Sequence, residues 1–404
     1  MNHHPNWKME TRAVHAGRAP ATPDFTPTVT PIHASVTYRY PTMEELDQVF
    51  AGTREGYVYG RYGNPTVTAF EDAVAALEGG ETALAFASGM AAIHAALLAV
   101  GARSGSAVVA AQDVYGATVS LLGGLMTTQG VTPRFVDADD LKAVEAACAE
   151  LRPVALLVET ISNPLLKVAD LRALAEIAHR HGAACLVDST FATPHLVRPL
   201  ELGADLVIHS ATKYLAGHGD VLGGVVVTSR ELHSELHELL KMTGGNLGPQ
   251  EAWLALRGIR TLPLRMRQHC QNALHLAEWL QRHPRIARVI YPGLPSHPHH
   301  RRARDLFGDG GFGGMVSFEI AEAGQEEAFR FVEALDLCIP ATSLGDVYTL
   351  CMVPAHSSHR SLTPAERARI GISEGMVRMS VGIEAAEDLA RDLDQALATL
   401  DGPR

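Results

Sequence analysis

Between about residues 65 and 258 the chain alternates short apolar runs with stretches rich in Ala, Leu and Glu, such as Leu171 to His181. The apolar runs are nearly continuous: Ala107 to Ala110, Val154 to Val158, Ala184 to Val187, Leu206 to Ile208 and Val225 to Val227. Strands of this kind are buried on both faces, which is typical of a parallel sheet with helices on each side. This region therefore predicts an α/β domain built on a mostly parallel sheet.

The pattern changes on either side of this region. After Arg260, long helical stretches and β-like pieces predict a smaller α+β domain: Leu262 to Gln281, Glu326 to Leu335 and Ala385 to Leu400 as helices, with Gly314 to Ile320 and Val377 to Val381 as strands. The first sixty residues hold scattered prolines and predict an extended arm. We therefore expect an arm over residues 1–62, a large domain over 63–260 and a C-terminal domain over 261–404. The aromatic stretch Tyr57 to Tyr62 would be costly in water, so we expect the arm to lie on a neighbouring subunit.

Composition narrows the class of protein. With 404 residues, 47% of them hydrophobic, the chain can bury a large core. Its 34 basic and 45 acidic residues give a net charge of −11, which argues against nucleic acid or an anionic membrane as a partner. Five scattered cysteines without a Cys-x-x-Cys pair, and no apolar secretion signal, predict a cytoplasmic protein. The charge-free stretch from Thr82 to Ala102 is long enough for a membrane span, but its alanines, Ser88, Gly89 and His94 indicate a strand, a turn and a helix.

One lysine follows directly on a predicted strand. Lys213 comes after the run Leu206 to Ile208, with Ser210 and Thr212 before it. A lysine at the end of a buried strand can lose its proton and form a Schiff base, whereas a solvated lysine stays a charged, poor nucleophile. The two hydroxyls can face one anion. Pyridoxal 5'-phosphate (PLP) offers an aldehyde for the lysine and a phosphate for the hydroxyls, so it is the candidate cofactor, with a solvated lysine as the alternative.

A second strand ends in a carboxylate, Asp188. Ligands in parallel α/β sheets bind beyond the carboxyl ends of the strands, so Asp188 and Lys213 are expected to face one crevice. An aspartate against the pyridine nitrogen keeps the PLP ring protonated and electron-withdrawing. The alternative is a helix cap or turn residue.

Three further segments could complete such a site. Ser88, Gly89 and Met90 open a helix that runs to about Val100, where backbone N–H groups favour an anion, although this is also an ordinary helix cap. Tyr115 follows another strand and could stack on a flat cofactor, or be a half-buried turn residue. Arg378 lies in a short apolar stretch and would bind a substrate carboxylate, or form a structural salt bridge.

Together these residues resemble the Cys/Met-metabolism (trans-sulfuration) family of fold-type I PLP enzymes, which includes cystathionine γ-synthase, cystathionine γ-lyase, methionine γ-lyase and the homoserine-ester sulfhydrylases. The similarity runs from Thr11 to Gly17, through Tyr59 to Thr66, and on to Ser380 to Glu384. It implies the fold-type I architecture, with PLP as cofactor and an amino acid as substrate. The segment around Lys213 fits the family's signature throughout.

The resemblance also implies a role for each residue. Lys213 would hold the cofactor and carry protons, Asp188 would pair with the ring nitrogen, and Tyr115 would stack on the ring and act as acid or base. The phosphate would be bound by Ser88, Gly89, Met90, Ser210 and Thr212. The substrate carboxylate would be bound by Arg378, Ser343 and Asn163, with Tyr59 also facing the substrate. Tyr59 and Arg61 would reach the phosphate of a neighbouring subunit, which implies an obligatory homodimer and an expected homotetramer.

The family covers both γ-elimination and γ-replacement, and departures from its patterns bear on the choice. Methionine γ-lyases share the segments Ser343 to Asp346 and Gly371 to Gly375, but they usually carry a cysteine at the position of Ala117 and Lys-Asp at Leu240-Lys241. Cystathionine-handling members often have glutamate at the position of Tyr348. We expect a γ-lyase acting on methionine, cystathionine or homocysteine, with a γ-replacement enzyme (cystathionine γ-synthase or an O-acetyl- or O-succinylhomoserine sulfhydrylase) as the alternative.

Other classes fit the residues less well. The histidine clusters lack cysteine or carboxylate partners at ligand spacing, so no metal is expected: His3 and His4, His297, His299 and His300, and His356 and His359. A catalytically silent PLP-fold protein would have no chemical need for Lys213, Asp188, Tyr115 and Arg378 together. A cysteine desulfurase or aminotransferase is disfavoured because no suitably placed cysteine is evident and because the arm carries Tyr-x-Arg.

Overall fold

The computed structural model describes residues 7–18, 25–358, 360 and 363–401. Its larger sheet has seven strands: β1 Thr82–Phe86, β2 Ala107–Ala111, β3 Thr132–Val136, β4 Ala155–Glu159, β5 Ala184–Asp188, β6 Leu206–Ser210 and β7 Gly224–Thr228. Their order across the sheet is β1-β7-β6-β5-β4-β2-β3. Strands β2 to β6 are mutually parallel, and β7 is antiparallel to both of its neighbours. As β7 separates β1 from β6, β1 points the same way as the parallel strands.

Both faces of this sheet are buried, as the continuous apolar runs predict. Along β6, Val207 packs into the core on one face, while Leu206 and Ile208 pack into the core on the other. Burying each such side chain contributes roughly 1.5–3 kcal/mol. The expected α/β fold with a mostly parallel sheet is confirmed. Its geometry places the carboxyl ends of β1, β2, β4, β5 and β6 along one edge.

The helices surround the two sheets. Their bounds are α1 Met9–His15, α2 Met43–Phe50, α3 Pro65–Glu78, α4 Gly89–Ala99, α5 Gly116–Ser120, α6 Leu141–Leu151, α7 Leu171–Arg180, α8 Thr193–Leu196, α9 Arg230–Thr243, α10 Pro249–Ile259, α11 Leu262–Arg282, α12 His300–Phe307, α13 Gln325–Glu333, α14 Pro364–Arg369 and α15 Ala386–Ala398. Within the described ranges, none of them is long and apolar enough to cross a membrane.

A second sheet of five strands follows in the chain: β8 Ile286–Ile290, β9 Met315–Ile320, β10 Ile339–Pro340, β11 Leu350–Met352 and β12 Met376–Ser380. Their order is β10-β11-β12-β9-β8, and β12 lies antiparallel between β11 and β9. All five residues of β12 are buried. Arg378 therefore sits on an interior strand, which is an expensive place for a charge without a partner.

The structure differs from the sequence-based expectation in the arm and in four strands. The described part of the arm contains α1 and α2, whereas the scattered prolines predicted an extended segment. Strand β3 was not predicted because it is an edge strand carrying Pro133 and Arg134 rather than an apolar run. Strands β8 and β10 are exposed or partly exposed edge strands, and β11 is buried but only three residues long, so none of them gives a long apolar run. The domain boundaries stay predictions.

Candidate active site

A cavity of about 490 Å³ lies at the carboxyl edge of the larger sheet. It is also lined from the second sheet's side by Thr342, Ser343, Leu344, Met352 and Arg378. The structure brings eleven of the predicted site residues to this cavity: Ser88, Gly89, Met90, Tyr115, Asn163, Asp188, Ser210, Thr212, Lys213, Ser343 and Arg378. Its volume is in the range of sites that bind cofactors and small molecules.

Lys213 follows β6 and extends across the cavity to the second domain. Its Nζ donates a hydrogen bond to Ser343 Oγ at 2.7 Å. Burial lowers the pKa of Lys213, the positive charge of Arg378 lowers it further, and Asp346 opposes the change. An amine with a lowered pKa is uncharged more of the time, which is the form that attacks an aldehyde.

Ser343 is held in an unusual conformation where it meets Lys213. Its φ is 85°, in the left-handed region that non-glycine residues rarely adopt. Such a conformation costs on the order of 1–3 kcal/mol and persists where the surroundings hold it. The Ser343 carbonyl accepts a hydrogen bond from Arg378 Nη2 at 2.9 Å, and its hydroxyl accepts one from Lys213. Both of its polar groups are thus tied to the cavity.

Asp188 is the last residue of β5. Its Oδ1 accepts a hydrogen bond from the Thr190 N–H at 3.0 Å. Burial raises the pKa of Asp188, while the Thr190 hydrogen bonds and the charge of His209 act to lower it. A desolvated carboxylate of this kind would gain from meeting a cation, such as a protonated ring nitrogen.

Glu159 ends the neighbouring strand β4 and lines the same cavity, although the sequence did not identify it as a site residue. Its Oε1 accepts a hydrogen bond from the Tyr115 N–H at 2.6 Å. Burial raises the pKa of Glu159 well above its ordinary value, and Asp188 raises it further. The signal that identified Asp188, an acid closing an apolar strand, was also present at Glu159.

The start of helix α4 also lines the cavity, through Ser88, Gly89 and Met90. Ser88 is its N-cap, and the Ser88 hydroxyl accepts a hydrogen bond from Ala91 N–H at 3.1 Å. A Cβ at Gly89 would lie only 2.9 Å from Cβ of Ser210, so glycine allows the helix start to approach the end of β6. Thr212 lies next to them, and its hydroxyl accepts a hydrogen bond from Gly223 N–H at 3.0 Å. A helix start flanked by hydroxyls favours an anion such as a phosphate.

Arg378 approaches the cavity from β12. Its Nη1 donates to Asn163 Oδ1 at 3.0 Å, while its Nη2 donates to the Ser343 carbonyl. The buried Nε has no hydrogen-bond partner among the described residues. Burial lowers the pKa of Arg378 to about 10, so it remains a cation at neutral pH. A buried guanidinium with an unused donor fits a carboxylate.

Tyr59 and Arg61 do not line this cavity. The Tyr59 side chain is exposed. The Arg61 guanidinium lies over the rings of Tyr59 and Tyr62, at 5.6 Å and 5.0 Å, and donates to the Lys241 carbonyl. Within one chain neither residue reaches the site, so their predicted contact with a neighbouring subunit stays a prediction.

The residues present fit PLP. The group needs an amine for its aldehyde, an acid for its ring nitrogen, an anion site for its phosphate and a flat surface for its ring. Lys213, Asp188, the start of α4 and the Tyr115 ring meet these needs within one cavity. The orphaned Nε of Arg378 leaves a place for a substrate carboxylate beside them.

His299, in the histidine-rich loop, makes its contacts within the protein. His299 Nδ1 accepts a hydrogen bond from the Val168 N–H at 3.0 Å, and its Nε2 lies 3.3 Å from Asp139. Within the part of the chain that the structure describes, no group of three or more His, Cys, Asp or Glu side chains could hold a metal ion. The predicted clusters at His3, His4 and His359 lie outside the described residues.

Comparisons with known proteins agree on one family. The family model described as Cys/Met metabolism PLP-dependent enzyme matches residues 10–398. The chain is 46% identical over 389 residues to the L-methionine gamma-lyase of Pseudomonas putida, covering 96% of each protein. It is 44% identical over 364 residues to the O-succinylhomoserine sulfhydrylase of Pseudomonas aeruginosa, covering 90% of this chain and 89% of that protein.

A solved structure extends the likeness to three dimensions. The putative O-acetylhomoserine (thiol)-lyase of Campylobacter jejuni superposes with a TM-score of 0.91 at 30% identity, covering 97% of this chain and 100% of that one. That structure carries a pyridoxyl-lysine-phosphate in place of a lysine. The resemblance stated from the motifs is therefore confirmed, together with the cofactor it implies.

Proposed function

The chain belongs to the Cys/Met metabolism PLP-dependent enzyme family, and from that premise we propose that it cleaves the γ-carbon–sulfur bond of methionine or a related sulfur amino acid. The products would be a 2-oxo acid, ammonia and a thiol. PLP, when bound, supplies the electron sink that lets a substrate lose its α-proton. The chain's own side chains would bind and orient the substrate and move its protons.

Lys213 is the proposed base at the substrate's α-carbon. Its lowered pKa favours an uncharged amine, and its hydrogen bond to Ser343 aims the Nζ toward the second domain, where the substrate carboxylate would bind. The Asp188 carboxylate would bind the cofactor's ring nitrogen. Tyr115 would cover the ring and stand where it can give or take a proton beyond the α-carbon.

Arg378 would fix the carboxylate of the amino acid. Asn163 and the Ser343 carbonyl already orient the guanidinium, so it is set before the substrate arrives. Such preorganisation limits the ordering cost of binding. The substrate's α-carbon would then lie between Arg378 and Lys213.

The charged side chains that line the cavity favour one class of substrate over another. Among the described residues that line it, the charged side chains are Glu159, Asp188, Lys213 and Arg378. The last three already have proposed roles in binding the cofactor or the substrate, and the pKa of Glu159 is strongly raised. No further carboxylate is available there for the distal ammonium of cystathionine. Tyr348, at the position where cystathionine-handling members often carry glutamate, is exposed and does not line the cavity. A buried charge without a partner is costly, so an uncharged distal group, as in methionine or homocysteine, fits better than cystathionine.

A γ-replacement reaction on a homoserine ester is the second candidate. The 44% identity to the O-succinylhomoserine sulfhydrylase of Pseudomonas aeruginosa favours it. The charges of the cavity disfavour an O-succinyl ester, because the described lining residues include no further lysine or arginine to bind its distal carboxylate. An O-acetyl ester meets no such objection.

A substrate panel separates these candidates. Purified holoenzyme is given L-methionine, L-homocysteine, L-cystathionine and O-acetyl- or O-succinyl-L-homoserine, each with and without added thiol. We expect 2-oxobutanoate from methionine and homocysteine without thiol, with kcat/KM at least tenfold above that for cystathionine. Lys213→Ala is the inactive control. A higher kcat/KM for cystathionine, or thioether formation from a homoserine ester exceeding all elimination, would contradict the proposal.

We also propose a cytoplasmic homotetramer made of dimers in which Tyr59 and Arg61 complete the partner's site. Both residues lie outside this chain's own cavity, and Tyr59 is exposed, which supports this arrangement. Co-expression of differently tagged Arg61→Ala and Lys213→Ala chains tests it. If the sites are shared, the mixed dimer has one site with both residues intact and regains activity. If each site uses its own Arg61, both sites of the mixed dimer carry a defect and activity stays lost.

A further inference from the structure

Two acids leave the larger sheet side by side in the cavity. Glu159 ends β4 and Asp188 ends β5, and the two residues are register partners in a parallel pair. Neighbouring strands lie about 4.8 Å apart, and paired positions point to the same face. Both side chains line the cavity, so the family's proposed ring-nitrogen acid has a second carboxyl group next to it.

The surroundings of the two acids differ. Asp188 accepts hydrogen bonds from the main chain and side chain of Thr190, which favour its ionised form. Glu159 accepts one main-chain hydrogen bond, from Tyr115, and it faces the negative charges of Asp188 and Asp113. Burial disfavours a charge on either acid. Two adjacent carboxyl groups in such a site disfavour each other's ionisation, and we expect the proton on Glu159, which has fewer hydrogen bonds and faces two negative charges.

Glu159 also determines where Tyr115 sits. Tyr115 is the N-cap of the short helix α5, and its own side chain makes no capping hydrogen bond. Tyr115 is 45% exposed and lines the cavity, so packing alone does not fix it. The Tyr115 N–H is bound to Glu159 Oε1 at 2.6 Å, while its carbonyl accepts from Thr118 and Val119 within the helix. The carboxyl group of Glu159 is therefore the anchor of the Tyr115 main chain on the cavity side.

We propose that Glu159 is a positioning residue that anchors Tyr115 above the cofactor ring through its carboxyl oxygen while leaving Asp188 as the acid that meets the ring nitrogen. The inference rests on the roles proposed above for Asp188 and Tyr115. An uncharged carboxyl group satisfies both demands, since it accepts the Tyr115 N–H and places no second negative charge beside Asp188. The other charged groups facing the cavity are Lys213, which follows β6, and Arg378, which lies on β12.

The test compares Glu159→Gln with Glu159→Met in the holoenzyme. Glutamine keeps an uncharged oxygen acceptor, whereas methionine fills a similar space without one. We expect Glu159→Gln to keep the PLP dissociation constant within about threefold of the wild type, and Glu159→Met to raise it at least tenfold. Thermal unfolding of each variant without cofactor checks that both chains are folded.

A spectroscopic titration reports on the proton itself. The absorbance of the bound cofactor is followed from neutral to alkaline pH in the wild type and in Glu159→Gln. Ionisation of Glu159 would add a negative charge beside Asp188, so we expect a step in the wild type that Glu159→Gln lacks. Persistence of the step in Glu159→Gln would overturn the assignment of the proton.

Glu327 offers a matched control elsewhere in the chain. Its Oε2 accepts a hydrogen bond from the N–H of Gly324, the N-cap of α13, at 2.9 Å, so it also anchors the N-cap residue of a helix. Glu327→Met should lower the unfolding temperature by a few degrees and leave the cofactor affinity unchanged. The proposal is wrong if Glu159→Gln loses cofactor as strongly as Glu159→Met, or if Glu159→Met retains wild-type affinity. These measurements need no substrate, so an error in the proposed substrate would not affect them.

Discussion

Replacing Arg378 with lysine tests the proposed carboxylate site most directly. The guanidinium donates to Asn163 Oδ1 at 3.0 Å and to the Ser343 carbonyl at 2.9 Å, and its buried Nε has no partner among the described residues. Lysine keeps the positive charge but has no planar fork, so it cannot bind these two oxygens and a carboxylate in the same geometry.

The expected cost follows from the hydrogen bonds that are lost. A hydrogen bond to a charged group contributes roughly 1.5–3 kcal/mol, and we expect Arg378→Lys to lose one such bond to the substrate carboxylate. Each 1.36 kcal/mol corresponds to about a factor of ten, so the loss amounts to roughly 10- to 150-fold. The effect should appear mainly in KM, because Arg378 would bind the substrate carboxylate equally well in the ground state and in the transition state.

The assay is steady-state kinetics on the best substrate of the panel, together with PLP affinity. We expect a raised KM, a kcat within about threefold of the wild type, and unchanged cofactor binding. Arg302→Lys is the control. Arg302 donates hydrogen bonds to the Asp139 carboxylate and to the Val168 carbonyl, but it does not line the cavity. An unchanged KM in Arg378→Lys, or an equal rise in Arg302→Lys, would refute the role given to Arg378.

Three further predictions concern the cofactor, the core and acid stability. Lys213→Ala should abolish the absorbance of the lysine-bound cofactor while the chain remains folded; survival of that absorbance would place the cofactor on another lysine. Glu78→Ala should lower the free energy of unfolding in urea by roughly 3 kcal/mol, because it leaves buried His209 without its partner: His209 Nε2 lies 2.5 Å from Glu78 Oε1. Glu78→Gln should lower it less, and equal losses in the two variants would contradict the buried pair. Burial opposes ionisation of Asp139, but His299 and Arg302 outweigh it and lower its pKa from 3.8 to about 2. An acid whose pKa is lowered by folding stabilises the fold above its unfolded pKa. Asp139→Asn should therefore lower the free energy of unfolding at neutral pH by on the order of 1 kcal/mol, since solvent screens this partly exposed carboxylate, and the difference should shrink as the pH falls from about 4 to 2. A difference independent of pH would show that the charge is not involved.

Most residues of the candidate site could be predicted because they follow strands. A continuous apolar run indicates a buried parallel strand, and the residues just after it must lie at the ligand-binding edge of the sheet. Asp188, Ser210 and Lys213 were found in this way. Glu159 obeys the same rule, directly after the run Val154 to Val158, but it was not identified as a site residue.

Contacts between distant segments could not be predicted from local pattern. The hydrogen bonds that join Lys213 to Ser343 and Arg378 to Asn163 span 130 and 215 residues. The left-handed conformation of Ser343 has no sequence signal either, since glycine is the residue that usually marks such a position. These features arise only when the second domain packs on the first.

Helix α2 is a different case, because its signal was present in the sequence. Thr42 precedes it, and the Thr42 hydroxyl accepts a hydrogen bond from the N–H of Glu45 at 3.2 Å. A threonine followed three residues later by glutamate is the known signature of a helix start. The scattered prolines of the arm outweighed this local signal in the sequence-based prediction.

The single reversed strand β7 has a consequence for how the protein is made. Strand β1 has only β7 as a partner in the sheet, so the loop that carries Ser88 and Gly89 cannot be fixed beside Ser210 until residues 224–228 have been synthesised. Arg378 is added still later. On the ribosome the anion site can therefore form only after residue 228 has been added, shortly after Lys213 itself. The groups proposed for the cofactor are therefore synthesised well before the arginine proposed for the substrate carboxylate.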